Sequence, residues 1–174
     1  TQATTSSPAP GGNVDDDLTE AMNFSTTKTP TFDEFDWCYG QDALVVYGPA
    51  TAEALYTSSS IAGGWKAMFS YYNDSTGELM ARELNNIYFD VKQNNITATI
   101  TWHYMEIVDS EDQTEDDLDP ESFEAVFADG GLKGDLYDST FEIFEFWKEN
   151  GKEYAAGEYD MSANGIYVYI ALVR

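Results

Sequence analysis

Side chains suited to covalent catalysis are scarce in this sequence. It has one histidine, His103, and one cysteine, Cys38, so a Cys–His dyad would require two residues far apart in the chain to meet in the fold. These counts also leave no internal disulfide, no multi-cysteine metal centre and no second histidine for a histidine-based one. No P-loop, GxGxxG or GxSxG motif occurs. We therefore expect no catalysis and no cofactor, and keep an enzyme of unrecognised type as an alternative.

Carboxylates are the one abundant reactive group, and they crowd the segment DSEDQTEDDLDPE. Oxygen-rich loops bind Ca²⁺, and the candidate ligands here are Asp109, Glu111, Asp116 and Asp117. However, an EF-hand loop that began at Asp109 would need glycine at its sixth position, where Thr114 stands. The favoured interpretation is a solvated loop whose charges repel one another, and the calcium site is the weaker prediction.

Acidic side chains also dominate the overall charge. The 174 residues include 32 Asp and Glu against 8 Lys and Arg, which gives a formal net charge of −24 at pH 7. Such a field repels the phosphate backbone of nucleic acids and the surface of anionic membranes. No apolar run approaches the roughly 20 residues that a membrane-spanning helix needs. We expect no nucleic-acid partner and no transmembrane segment.

Composition divides the chain into three parts. Residues 1–30 begin with TQATTSSPAPGGN, which has no charge and no large apolar side chain, and we predict a flexible tether there. Residues 31–62 are predicted to form an N-terminal extension with a short strand at Ala43–Tyr47 and a helical turn from Pro49. Residues 63–174 are predicted to form the main domain.

The uncharged Ser, Thr, Pro and Gly of the first segment resemble the spacer that follows the lipidated cysteine of a bacterial lipoprotein. The chain starts at Thr1 without methionine, so we expect a mature or trimmed form whose export signal is missing. The resemblance implies an extracellular or cell-surface protein anchored to the membrane by a lipid. A disordered leader of another exported protein is the alternative.

From Gly63 onward, strand-like segments alternate with turn sequences. Turns such as NDSTGE, DGG, ENGK and SANG separate eight segments rich in β-branched and aromatic residues. The segment TFEIFEFWK departs from strict alternation, and a β-bulge near Glu145 would restore it. Eight antiparallel strands joined mostly by short loops favour an all-β, up-and-down meander barrel, since closure removes both exposed edges of the sheet.

Aromatic side chains are the best functional signal, because tyrosine combines an apolar body with a hydroxyl group that can orient a ligand. Aromatic residues make up 15% of the chain. The candidate ligand-binding residues on the predicted strands are Trp102, Tyr104, Trp147, Tyr167 and Tyr169. A core filled by these same side chains is the alternative, since strands are rich in aromatic residues in any case.

Two short motifs mark the ends of the predicted barrel. Gly63-Gly64-Trp65 opens the first strand, and Arg174 ends the last strand, IYVYIALVR. In these motifs residues 62–174 resemble the calycins, which include lipocalins, fatty-acid-binding proteins and streptavidin-like barrels. The resemblance implies that Trp65 lies across a closed end of the barrel, next to Gly63, and that the Arg174 side chain packs over it. The Asn and Asp that lipocalins place before the glycine are replaced by SSIA.

The leading functional hypothesis is an exported, surface-tethered, lipocalin-like protein that binds a small apolar or amphipathic ligand. The alternative is a structural or adhesion module whose barrel is filled and whose acidic surface contacts cations or a cationic partner. An interior cavity of roughly a few hundred Å³ lined by tyrosine and tryptophan would favour binding, whereas a fully packed interior would exclude it.

Overall fold

The computed structural model describes residues 29–38, 53–54, 61–91, 97–109, 113–114, 121–128, 130–137 and 139–174. For residues 53–54, 102–109, 113–114 and 121 the description is of the backbone. Almost all of the predicted tether, the predicted strand Ala43–Tyr47 and most of the turn predicted from Pro49 lie outside the described residues. Within that turn, Glu53–Ala54 form a short strand. No helix in the described ranges is long and apolar enough to cross a membrane.

Strands account for most of the described structure. A 3-10 helix spans Phe32–Cys38, and a second, Ser162–Asn164, joins the last two strands. The strands are β1 (Glu53–Ala54), β2 (Gly63–Asn73), β3 (Leu79–Val91), β4 (Thr97–Asp109), β5 (Gln113–Thr114), β6 (Glu121–Ala128), β7 (Gly131–Leu136), β8 (Ser139–Glu149), β9 (Lys152–Met161) and β10 (Ile166–Val173). All eight strands predicted beyond Gly63 are present, and the sequence pattern does not predict β1 or β5.

Eight of these strands close into an antiparallel barrel. Their order is β2, β3, β4, β6, β7, β8, β9 and β10, and β10 pairs with β2 from Ile166 opposite Asn73 to Val173 opposite Lys66. The predicted meander barrel is therefore confirmed. The two-residue strands are additions: β1 pairs with β8 beyond the end of β7, and β5 pairs with the end of β4.

Turn residues set this strand order, because each short turn places the next strand beside the one before it. Asn150 and Gly151 join β8 to β9 with positive φ angles of 52° and 78°. A two-residue type I′ turn requires positive φ at both positions, and its twist matches that of the paired strands. In the turn after β2, the Asn73 side-chain oxygen accepts hydrogen bonds from the backbone N–H groups of Ser75 and Thr76. Short turns of this kind lead to a meander.

The predicted bulge is present in β8. The register between β8 and β9 shifts between Ile143 and Glu145. Because the bulge reverses the alternation, Phe146 joins Ile143 in the core, and Trp147 turns to the outer face of the barrel. The strands approach closely here, since a Cβ atom at Gly157 would lie 2.0 Å from the carbonyl oxygen of Glu142.

Apolar side chains fill much of the barrel interior. At the end where β2 begins, Trp65 is fully buried, with its ring centre 5.6 Å from that of Phe146 and 6.4 Å from that of Phe89. The Trp65 Nε1–H donates to the carbonyl of Ile61 at 2.8 Å. Further core residues lie along the barrel strands: Phe69, Ile87, Ile100, Phe127, Leu132, Phe141, Ile143, Val168, Ile170 and Leu172.

Arg174 covers this end of the barrel. Its guanidinium carbon lies 4.1 Å from the centre of the Trp65 ring, which is cation–π geometry. Its Nε donates to the Glu153 carboxylate at 2.8 Å, and Nη1 donates to the Ala62 carbonyl at 2.7 Å. Gly63 has a φ of 101° and lies directly beneath the guanidinium group. The three residues of the predicted closure, Gly63, Trp65 and Arg174, are therefore in contact.

The first 3-10 helix covers part of the outer face of the barrel. Phe35 and Cys38 are buried in a second apolar cluster with strand residues Met68, Leu84, Ala171 and Val173. The Arg82 guanidinium carbon lies 4.6 Å from the centre of the Phe32 ring, at the edge of this cluster. The outward side chains of β2, β3 and β10 under this helix are thus apolar because the helix covers them.

We predict that Trp65→Ala lowers the free energy of unfolding by about 3–5 kcal/mol, because it leaves a cavity in the core and removes the ring that Arg174 covers. Urea denaturation followed by circular dichroism measures this change. Val126→Ala is the control, since Val126 is a half-exposed strand residue and its truncation should cost less than about 1 kcal/mol. Equal effects of the two substitutions would contradict the placement of Trp65.

Candidate functional site

Three of the five aromatic residues predicted to bind a ligand lie on the outer face of the barrel. Trp147 stacks on Tyr154 with ring centres 5.7 Å apart and meets the edge of Trp37 at the same distance. Tyr167 and Tyr169 alternate along β10 with core residues and therefore point outward. These three side chains cannot line an interior site, because the bulge reverses the face of Trp147 and strict alternation fixes the two tyrosines.

The other two aromatic candidates, Trp102 and Tyr104, belong to β4. Their backbones pair with Ile87 and Asn85 of β3. Their side chains lie outside the described part of the chain, so their role as ligand-binding residues stays a prediction.

A group of polar side chains lies inside the barrel on β2 and β3. Glu83 and Asn85 stand opposite Phe69 and Ala67, and cross-strand partners share one face of a sheet, so both polar side chains point into the core. Glu83 is 9% exposed and Asn85 is 0% exposed. Tyr71, on the same face, donates a hydrogen bond to the Glu83 carboxylate. We call Tyr71, Glu83 and Asn85 the interior polar cluster.

Much of the hydrogen-bonding capacity of this cluster is unused. Among the residues whose side chains are described, Oε2 of Glu83 and both polar atoms of Asn85, Oδ1 and Nδ2, have no hydrogen-bond partner, and all three atoms are buried. The Asn85 amide is close enough to favour the charged form of Glu83 but does not reach hydrogen-bonding geometry. An unpaired buried polar group costs about 1–3 kcal/mol, and native proteins pair most such groups. Within the described part of the barrel, the cluster therefore carries three buried polar atoms that a further group could pair with.

Burial also changes the acidity of Glu83. Removal from water disfavours the carboxylate and raises its pKa above the ordinary value of 4.5, although the hydrogen-bonding groups of Tyr71 and Asn85 partly offset this effect. A charged Glu83 is consequently unfavourable among these interior side chains. A group that donates hydrogen bonds or carries positive charge would reverse that penalty.

The backbone opposite the cluster is irregular. The register between β3 and β4 shifts so that Leu84 pairs with Glu106, whereas Asn85 pairs with Tyr104. One residue of β4, Met105, is therefore unpaired. Bulges are frequent next to functional sites because they change the direction of neighbouring side chains. This irregularity and the unpaired polar atoms occur at the same point of the barrel.

Glu83 and Asn85 are not among the residues predicted from the sequence to form a site, although a signal for them exists. Strict alternation in RELNNIYFDV places both residues on the same face as Ile87 and Phe89, which are core residues. Two polar residues on a core face are unusual in a strand, and that pattern could have been recognised without coordinates.

An open groove of about 610 Å³ lies on the outer face of β6, β7 and β8. Its outward side chains are Val126, Ala128, Lys133, Glu142 and Phe144, and the Lys133 and Glu142 charges are 4.0 Å apart. This groove is separated from the interior polar cluster by the barrel wall. It offers an alternative, external place for an apolar molecule.

The structure gives no support to a reactive thiol. Cys38 is fully buried, its Sγ donates to the Phe35 carbonyl at 2.9 Å, and burial raises its pKa to about 12. It is therefore a neutral thiol at physiological pH and packs as a small apolar side chain.

The acidic segment after β4 carries the weaker prediction of a calcium site, beside the favoured interpretation as a solvated loop. Asp109 ends β4, and the side chains of Asp109, Glu111, Asp116 and Asp117 lie outside the described residues. Among the residues whose side chains are described, no three His, Cys, Asp or Glu converge to hold a metal ion. The calcium site stays a prediction.

Comparisons with family models and with curated proteins find no match to this chain. The closed eight-stranded barrel is compatible with the calycin resemblance. That resemblance therefore depends on the barrel itself and on the contact between Gly63, Trp65 and Arg174.

The raised pKa of Glu83 predicts a pH-dependent effect of Glu83→Gln. The free energy of unfolding of the wild type should be highest, as far as Glu83 is concerned, below about pH 4.5, where Glu83 is neutral in both states. It should fall as the pH rises through the raised pKa, because the folded state then carries a buried charge. The variant cannot ionise there. Its advantage in unfolding free energy should be near zero below about pH 4 and should increase toward pH 8.

Urea denaturation at a series of pH values measures this difference. Glu78→Gln is the matched control, because Glu78 is exposed and its substitution changes the net charge equally. If Glu83→Gln and Glu78→Gln give the same pH profile, Glu83 is not a buried carboxyl group with a raised pKa.

A second prediction compares an unpaired with a paired buried polar side chain. Asn85→Leu should raise the free energy of unfolding by about 1–3 kcal/mol, because it removes two unpartnered polar atoms without a large change of shape. Thr101→Val should lower it by about 1 kcal/mol, because Thr101 is buried and its hydroxyl is hydrogen-bonded to that of Ser122 at 2.8 Å. Thermal and urea denaturation measure both. Destabilisation by Asn85→Leu would mean that Asn85 has a structural partner.

Proposed function

We propose that the protein binds one small apolar or amphipathic ligand inside the barrel, with the polar part of the ligand against the interior polar cluster. The observation that supports this most strongly is the burial of three polar atoms, on Glu83 and Asn85, that have no partner among the described side chains. A ligand that paired with them would recover the free energy that their burial costs. Binding would then stabilise the folded state.

The strand number and the lining of the barrel are compatible with this proposal. An eight-stranded barrel encloses an interior that is either filled by side chains or able to hold one small ligand. Its cluster residues are surrounded by apolar neighbours, since Phe69, Ala67 and Ile87 share their face. A few polar groups set in an apolar lining are typical of ligand sites.

The second candidate function is a structural or adhesion module. The packed end of the barrel around Trp65 and the open groove on β6, β7 and β8 favour it. A purely structural barrel, however, gains no stability from an unpaired Glu83 and Asn85, because apolar side chains at both positions would pack there without a desolvation penalty. Ligand binding accounts for these residues and filling does not.

Titration with the uncharged fluorescent probe N-phenyl-1-naphthylamine tests the proposal. We expect one molecule to bind per barrel with increased fluorescence, because the interior excludes water. Asn85→Leu should weaken binding of the probe, whose N–H group would lose a hydrogen-bond acceptor. Asn86→Leu is the matched control, because Asn86 is a buried neighbour on the opposite face of the same strand.

The outcomes separate the two functions. Loss of affinity in Asn85→Leu with wild-type affinity in Asn86→Leu supports the interior site. Absence of probe binding to the wild type contradicts it and favours the structural module. Equal binding by the wild type and both variants would also contradict it and would place the probe on an outer surface such as the groove on β6, β7 and β8. Circular dichroism establishes that each variant is folded.

We also propose that the protein is exported and held at the cell surface. The composition of residues 1–13 supports this, because uncharged Ser, Thr, Pro and Gly are typical of the spacer between a lipid anchor and a folded domain. Expression of the complete gene with a palmitate analogue tests it. Labelled protein in the membrane fraction is the expected result, and unlabelled protein in the cytosol would contradict the proposal.

A further inference from the structure

We infer that the ligand of the interior polar cluster is an organic cation, a protonated amine joined to an apolar body, and that the ammonium group binds between Glu83 and Asn85. This inference rests on the proposed function and adds the chemical class of the ligand. It is carried by the identity of the unpartnered atoms, the charge of the protein and the apolar surroundings of the site.

The unpartnered atoms require a ligand that donates hydrogen bonds. Two of the three, Glu83 Oε2 and Asn85 Oδ1, are acceptors, and Asn85 Nδ2 is the one donor. A primary ammonium group has three N–H donors and no acceptor, so it can pair with both oxygens at once. A carboxylate or phosphate head could pair with Asn85 Nδ2 but would leave both acceptors unpaired.

The charge of Glu83 and of the whole protein also favours a cationic ligand. A carboxylate in an apolar interior favours a positive partner, because an ion pair offsets the desolvation of each charge. Arg174, a described basic residue near the interior, lies at the packed end of the barrel and is paired with Glu153. The net charge of −24 adds a long-range field that attracts cations and repels anions. An anion placed beside Glu83 would be opposed by both effects.

Apolar neighbours define the rest of the ligand. Phe69 lies opposite Glu83, and Ile87 follows Asn85 on the same face of β3. Tyr71 adds an aromatic ring whose hydroxyl already bonds to Glu83. Aliphatic and aromatic surfaces around a buried carboxylate fit an alkyl or aryl amine, and they do not fit a small hydrophilic cation such as an inorganic ion.

Isothermal titration calorimetry with three probes of equal chain length tests the inference. The probes are octylammonium, octanol and octanoate, each added to the wild type, Glu83→Gln and Glu78→Gln in about 0.15 M salt, where surface charges are screened within roughly 8 Å. Glu83→Gln removes the interior charge and keeps its shape. Glu78→Gln removes an exposed charge from the turn before the same strand, which controls for attraction by the acidic surface.

The wild type should bind one octylammonium about tenfold to a hundredfold more tightly than octanol, because a hydrogen-bonded charge is added to the same apolar contact. Octanoate should bind most weakly. Glu83→Gln should lose the preference for octylammonium and keep its affinity for octanol, and Glu78→Gln should behave as the wild type.

Two results would overturn the inference while the interior site stands. One is equal or tighter binding of octanol or octanoate by the wild type, and the other is an octylammonium preference that survives in Glu83→Gln. If none of the three probes binds the wild type, the proposed function fails and the inference fails with it.

Discussion

Pairing of the first barrel strand with the last is the constraint on which the rest of the structure depends. The hydrogen bonds between β2 and β10 remove the free edges of the sheet and turn one of its faces into an interior. They also bring the start of β2 next to the end of β10, so that Arg174 can lie over Trp65 although 109 residues separate them in the chain. Without this pairing there would be neither a closed end nor an enclosed polar cluster.

The scarce positive charges make specific contacts at the closed end and on the outer face of the barrel. The chain has 8 lysines and arginines against 32 acidic residues, yet several of them make specific structural contacts. Arg174 covers the closed end, Arg82 packs on the first 3-10 helix, and Lys66 pairs with Glu34 of that helix. A basic side chain in a protein of this charge has many carboxylates nearby, so its place in the fold determines which of them it contacts. The inner carboxylate of Glu83 has no such partner among the described basic residues.

The barrel could be predicted from the sequence because the signals that specify it lie in short stretches of neighbouring residues. Turn residues such as Asn150-Gly151 and alternation along each strand specify hairpins, and consecutive hairpins define a meander. The side-chain directions were harder. The bulge near Glu145 was predicted, but its consequence for Trp147 depends on where the extra residue is placed in the pairing with β9. The significance of Glu83 and Asn85 depends on whether other groups form hydrogen bonds with them, and sequence periodicity does not reveal this.

Stability and the proposed ligand binding would oppose each other in the barrel interior. The end closed by Trp65 is packed as a core, whereas the polar cluster leaves hydrogen-bonding capacity unused, which is expected where a site must be kept ready for a ligand. An atomic-resolution crystal structure of the protein purified without denaturation tests this most directly. The account predicts electron density for a bound molecule or ordered water within hydrogen-bonding distance of both Glu83 and Asn85. Contact of all their polar atoms with other protein groups, in a dry and fully packed interior, would contradict it.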